Sequence, residues 1–178
     1  MRIVAVFCID VEKKKYWYKC DLSSFSYFNR SSINELLCEF ATFAAESLDN
    51  DPERKTFEHR DFLLCCHRIG DLVTALFTDL EYPTRCTFEL LRRVHEDASE
   101  EHMGIILTQC QHANTVDALT RAQCQLDETL VIMHENVTKI LQRGDDIDAL
   151  VEKSARLSVA SKTFYKVARK HNRCCAVQ

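Results

Sequence analysis

The sequence predicts an α+β domain followed by one long helix, and three observations carry that prediction. Short apolar or alternating runs bounded by turn residues recur through residues 2–78, the mark of strands. Two stretches among and after them carry apolar residues at helical spacing. Beyond residue 115 the pattern changes to a sustained heptad seam without a proline. With 178 residues, 46% hydrophobic and 28% charged, the chain has material for one domain with a real core and an appendage.

Residues 2–10 make a short apolar run suited to a buried strand. From Lys15 the chain alternates, with Tyr16, Tyr18, Cys20 and Leu22 on one face. Lys19 and Asp21 lie on the other, beside the apolar exception Trp17. Ser32-Ile33-Asn34-Glu35 has the spacing of a capping box, in which Ser32 and Glu35 satisfy each other's backbone N–H groups. Leu36, Leu37, Phe40, Phe43, Ala44 and Leu48 recur at helical spacing until Asp49-Asn50-Asp51-Pro52 stops that helix. Residues 56–59, 62–67 and 72–78 read as three strands, the last two joined across Ile69-Gly70-Asp71. Tyr82-Pro83-Thr84 opens a second helix with an apolar stripe of Phe88, Leu91 and Val94. The acidic residues 96–101 read as a mobile patch, and Gly104-Ile105-Ile106-Leu107 as a strand or packing segment. Polar residues 108–114 read as a linker.

From about residue 116 to residue 171 no Pro occurs, and Gly144 is the one glycine in 56 residues. Alternate steps of three and four pick out Leu119, Ala122, Leu126, Thr129, Met133, Asn136, Ile140, Arg143, Ile147, Leu150, Ser154, Leu157, Ser161, Phe164, Ala168 and His171. That is an a/d seam of about eight heptads, the pattern of a coiled coil. Arg143 stands where Ile or Leu is expected. A buried arginine is costly unless its donors are met, and a lone helix offers no acceptor. Partner helices are therefore expected to bring side-chain oxygens to that layer, as polar seam residues do when they fix register. Two other readings stand beside this one: Arg143 snorkels outward, or Gly144 ends one helix and Asp145 or Asp146 caps the next. Ile140, Ile147 and Leu150 stay in phase across Gly144, which favours one continuous helix in the complex, weakened by about 1 kcal/mol at the glycine. With Thr129, Asn136, Ser154, Ser161 and His171 in it, the seam is too polar for a helix alone. Disorder or autoinhibitory folding is expected until partners arrive.

The chain ends Cys174-Cys175-Ala176-Val177-Gln178. A cysteine fourth from the end, two small aliphatic residues and Gln fit a prenylation signal, with Gln favouring farnesyl. Cys174 is placed to carry a second lipid, which stable anchoring needs, since one chain attaches marginally. The plain alternative is a soluble protein that happens to end in two cysteines. The net charge of −4 hides an asymmetry, because no acidic residue follows Glu152. Lys153, Arg156, Lys162, Lys166, Arg169, Lys170 and Arg173 place seven positive charges in the last 26 residues, leaving −11 on residues 1–152. Such a run suits an anionic membrane surface, at about 1 kcal/mol per Lys or Arg close to it. A basic tail for nucleic acid competes, and the prenyl signal beside the run favours the membrane and no nucleic acid.

No run of about 18 apolar residues occurs, so no spanning helix is expected. No signal peptide is expected, because Asp10, Glu12 and the lysines follow the first apolar run. The ten cysteines are expected as buried thiols in a reducing, cytosolic setting. Cys65-Cys66-His67 has no second ligand pair at finger-like spacing, so no metal and no cofactor is expected.

With those motifs in order, the chain resembles the prenylated longin R-SNAREs of the Ykt type. The residues that carry the resemblance are Ser23-Ser24-Phe25-Ser26-Tyr27-Phe28, Arg30-Ser31-Ser32, Glu81-Tyr82-Pro83-Thr84-Arg85, Leu126-Asp127-Glu128-Thr129, Arg143-Gly144 and Phe164-Tyr165-Lys166. The resemblance covers nearly the whole chain. It implies a profilin-like longin domain over residues 1–112, an antiparallel five-stranded sheet between helices, then an R-SNARE coiled coil over 115–172 and a lipidated tail over 173–178. It also implies that Arg143 forms the central ionic layer with three glutamines, that Cys175 carries farnesyl, and that Cys174 carries palmitoyl or a second prenyl group. The stretch from Val94 to Leu126 is shorter than is usual in that family, which implies an abbreviated last longin helix.

The function this implies is vesicle-membrane fusion by zippering with glutamine-SNARE helices, at the cytoplasmic face of Golgi, ER or endosomal membranes and in exchange with the cytosol. A Ras-like GTPase shares the size and tail but needs a phosphate loop, and Gly70, Gly104 and Gly144 are not followed by Lys. A longin-type tether or adaptor that recruits partners without fusing membranes stays open. No nucleophile elbow or paired-base motif supports an enzyme, and His134 reads as a solvated residue.

Overall fold

A computed structural model describes residues 2–48, 52–59, 62–111 and 147–174. Strands β1 (Ile3–Asp10), β2 (Lys15–Cys20), β3 (Glu53–His59), β4 (Phe62–Ile69) and β5 (Leu72–Asp79) form one antiparallel sheet in the order β2-β1-β5-β4-β3. β1 lies between its two neighbours, so Phe7 pairs with both Tyr18 and Ala75. Both of its faces are covered, which is why it reads as a continuous apolar run. Ile3, Val6 and Cys8 enter one core, and Val4, Ala5, Phe7 and Ile9 the other. Gly70 turns the chain from β4 to β5 with φ at +59°, a conformation that costs a glycine little.

Helix α1 (Arg30–Glu46) covers one face of the sheet. Leu37, Ala41, Ala44 and Ala45 recur at helical spacing, and the alanines let the helix approach closely. Helices α2 (Thr84–Glu96) and α3 (Glu100–Gln109) cover the other face with Phe88, Leu90, Leu91, Val94, Met103, Ile106 and Leu107. The fold is therefore the α+β class, a sheet between helices.

Several local expectations change. Trp17 is no exception, because the second face of β2 is also covered: it packs on the α2–α3 core and its indole N–H donates to the Ala98 carbonyl at 2.6 Å. β3 begins at Glu53, earlier than the apolar pattern indicates, since its first residues are charged; Lys55 pairs with Glu53 and donates to the Ser47 carbonyl. The acidic patch runs from the end of α2 across a short break into α3, and the segment after it continues α3. Ser99 caps α3 by accepting the His102 N–H at 3.2 Å, and Glu100 and Glu101 in the first turn complement its dipole. Gln111, read as linker, takes the place of a strand partner: its amide accepts the Ile3 N–H at 2.9 Å and donates to the Ile3 carbonyl at 3.0 Å. The capping box does not form. α1 starts at Arg30 after Asn29, so Ser32 lies within the first turn and Glu35 is free of the backbone it was expected to cap.

Helices α4 (Ile147–Lys153) and α5 (Val159–Cys174) pack on the outer side of α1. Two serines account for the break between them. Ser154 Oγ accepts the Arg156 N–H at 3.1 Å, and Ser158 Oγ accepts the Ser161 N–H at 3.2 Å, each offering the backbone an alternative to the helix ladder. Among the described residues, 147–174 therefore form two helices in the free chain, where one continuous helix is expected in the assembled complex. Among the described residues no helix is long and apolar enough to cross a membrane.

Candidate functional site

The face of α1 turned away from the sheet carries two kinds of residue. Glu35, Glu39 and Glu46 share one side of the helix at spacings of four and seven, and Leu36 and Phe40 flank them. α4, the serine-rich break and α5 cover this face. Leu36 meets Val151, Leu157 and Tyr165 in a small buried cluster, with Phe40 and Phe164 at its edge. Removing four such side chains from water is the favourable term that holds the fold-back.

The acidic ridge meets the break. Glu35 Oε2 accepts the Ser158 backbone N–H at 2.9 Å and the Ser161 hydroxyl at 2.7 Å, so a carboxylate on α1 caps the start of α5. The Ser158 N–H first, and the Ser161 hydroxyl second, hold the Glu35 carboxyl below the usual carboxylate range. Arg156 sits between Glu39, 3.7 Å from its Nε, and Glu46, 3.5 Å from its Nη2. Glu39 is buried, so its charge needs that partner. On the far side, Lys166 pairs with Glu152 at 2.6 Å and Lys162 donates to the Glu152 carbonyl at 2.7 Å, tying α5 to α4.

Of the predicted seam, Leu119, Ala122, Leu126, Thr129, Met133, Asn136, Ile140 and the central Arg143 lie outside the described residues, as does Cys175. Ile147 opens α4, and Leu150 on it is half-buried. Ser154, Leu157 and Ser161 are buried, Phe164 packs at the cluster edge and Ala168 is half-buried on α5. Cys174 ends α5. Leu157, Ser161 and Phe164 are therefore gathered onto α1, together with Val151 and Tyr165, which stand one step off the heptad phase.

Sequence reasoning did not reach Glu35, Glu39, Glu46 and Arg156 as a set. Their signal was present in part. The apolar arc of α1, from Leu36 and Leu37 through Phe40 to Phe43, is wider than a helix covered on one side requires.

Among the described residues, Cys8, Cys65, Cys66 and His67 are buried. Burial pushes the Cys8 and Cys65 thiols up to about 12, which keeps them protonated and unreactive. Cys65 and Cys66 enter opposite cores. His67 lies beside His95, with ring centroids 6.2 Å apart, and burial, then Arg54 and His95, lower its pKa to about 4.

Comparison with known proteins places the sequence among relatives of one kind. The Synaptobrevin family model matches residues 118–178. A VAMP-like protein YKT61 of Arabidopsis thaliana is 33% identical over 174 residues, covering 88% of this chain and 87% of the relative. The synaptobrevin homologue ykt6 of Schizosaccharomyces pombe is 30% identical over 197 residues, covering 99% and 100%. The synaptobrevin homologue YKT6 of Saccharomyces cerevisiae is 30% identical over 177 residues, covering 88% of each.

Proposed function

This chain belongs to the synaptobrevin family, in its Ykt6-type branch of longin R-SNAREs, and from that premise we propose that its heptad stretch zippers with three glutamine-SNARE helices to drive vesicle-membrane fusion. It acts in vesicle trafficking and is not an enzyme. The observation that carries the finer reading is the coincidence of the heptad seam, with Arg143 in it, and the segment 118–178 that matches the family. Zippering toward residue 171 would draw the C-terminal end to a partner's membrane as apolar layers are buried. Cys175 as the prenylated residue and Cys174 as a palmitoylated or second prenylated one would hold that end at the cytoplasmic face of Golgi, ER or endosomal membranes, with exchange into the cytosol.

Folding back fits this function because one set of side chains serves two partners. Leu157, Ser161 and Phe164 pack on α1 in the free chain and fall on the seam of the complex. Neither arrangement allows the other at those layers.

Mixing the chain with three glutamine-SNARE helices tests the reading. An SDS-resistant four-helix complex is expected, with Arg143→Gln weakening assembly and vesicle fusion by leaving four glutamines in one layer. Unchanged assembly in Arg143→Gln removes the ionic-layer role. Repeated absence of any complex favours the tether or adaptor reading. Mass spectrometry of the C-terminal peptide from membranes tests the anchor, and an unmodified Cys175 there would refute it.

A further inference from the structure

We propose that the outer face of α5 docks on an anionic phospholipid bilayer while its inner face remains folded on α1, so that membrane recruitment does not require opening. The inference rests on the membrane-anchored reading above only for why the chain should meet a bilayer; the surface itself follows from α5.

α5 is divided by its own periodicity. Ser161 and Tyr165 are buried toward α1, and Phe164 and Ala168 are half-buried beside them. At 100° per residue Val159, Thr163, Lys166, Val167 and Lys170 fall on the opposite side. All five are exposed, Val159 at 81% and Val167 at 48%. Exposed valines sharing a face with lysines give a helix that lies in an interface, apolar side chains entering the headgroup boundary and ammonium groups meeting lipid phosphates. Charge complementarity extends along the segment, because no acidic residue follows Glu152. Glu152 engages Lys166 and Lys162 at the start of the stripe, and Lys170 lies one turn beyond Lys166. Cys174 occupies the position one turn beyond Lys170 and ends the helix. The stripe thus leads to the residue that would take the second lipid.

A duplex or single-stranded nucleic acid would use the lysines alone and leave the valines exposed. A bilayer uses both, and this decides between the two polyanions. Since α1 takes the other face, docking and folding back do not compete.

The test uses the full chain without lipid and vesicles of phosphatidylcholine with or without phosphatidylserine. We expect flotation with the phosphatidylserine vesicles only, reduced roughly tenfold or more by Lys166→Gln with Lys170→Gln. Val159→Ser with Val167→Ser should also reduce it. Glu152→Gln, which releases Lys166, should increase it. Hydrogen exchange at residues 36–40 should stay slow in the bound state. The proposal is overturned by flotation that ignores phosphatidylserine, by an unchanged lysine double variant, by loss of protection at residues 36–40 on binding, or by tighter binding to nucleic acid than to vesicles. Because no other SNARE is present, each of these outcomes leaves the assembly test above unaffected.

Discussion

A carboxylate at position 35 caps a helix whose first turn lies 123 residues further along the chain. Its charge therefore sets how α5 responds to pH. Because Ser158 and Ser161 hold the Glu35 carboxyl below its ordinary value of 4.5, the folded-back state takes up its proton less readily than the open one. The stabilisation is complete above that value and is lost as pH falls through it and below. The Ser158 and Ser161 amide resonances should show α5 loosening under acid, and Glu35→Gln should abolish that component while keeping a neutral acceptor. His67 has the opposite chemistry with a related outcome. Its pKa is lowered from 6.5 to about 4, so the unfolded chain binds the proton first. Above about 6.5 the group contributes no pH dependence; from there down to about 4 the domain should lose up to ~3 kcal/mol. Chemical denaturation at stepped pH checks this, and His67→Phe should flatten the slope.

At the level of elements, α1 works as a two-sided helix, with alanines and Leu37 toward the sheet and Leu36, Phe40 and the acidic ridge toward α4 and α5. Leu36→Ala should cost the fold-back about 2 kcal/mol, less than a fully enclosed leucine, while the melting of the sheet domain hardly moves. Faster hydrogen exchange confined to α4 and α5 is the expected readout. Much of this layer was legible: strands 62–67 and 72–78, α1 and α2 follow from period and turn residues alone. α3 was not, because the helix begins inside an acidic run whose residues serve its dipole, and its apolar stripe at Met103, Ile106 and Leu107 starts only after that run. Nor was the break before α5, which depends on Ser158 finding both Glu35 and Ser161.

For the whole molecule, the fold-back holds Leu157 and Ser161 on α1, the same side chains that the proposed SNARE complex would place in its seam. In that proposal release precedes zippering at these two residues. Leu36→Asp loosens the fold-back without altering a seam residue. It should speed association with the three glutamine-SNARE helices several-fold, by the fraction of chain already competent, and leave the melting of the finished complex unchanged. Stopped-flow association and a thermal melt of the complex separate the two effects.

The sequence alone determined the α+β class, most strand positions and the helical spacing of α1 and α2, because periodicity and turn chemistry are properties of neighbouring residues. Only the tertiary structure decided that Glu35 caps α5, that Arg156 stands between Glu39 and Glu46, and that Leu157 and Ser161 face α1 while Lys166 and Lys170 face outward. A helix pattern specifies which residues share a side. What covers that side is settled by packing between segments more than a hundred residues apart, and no local rule reaches so far.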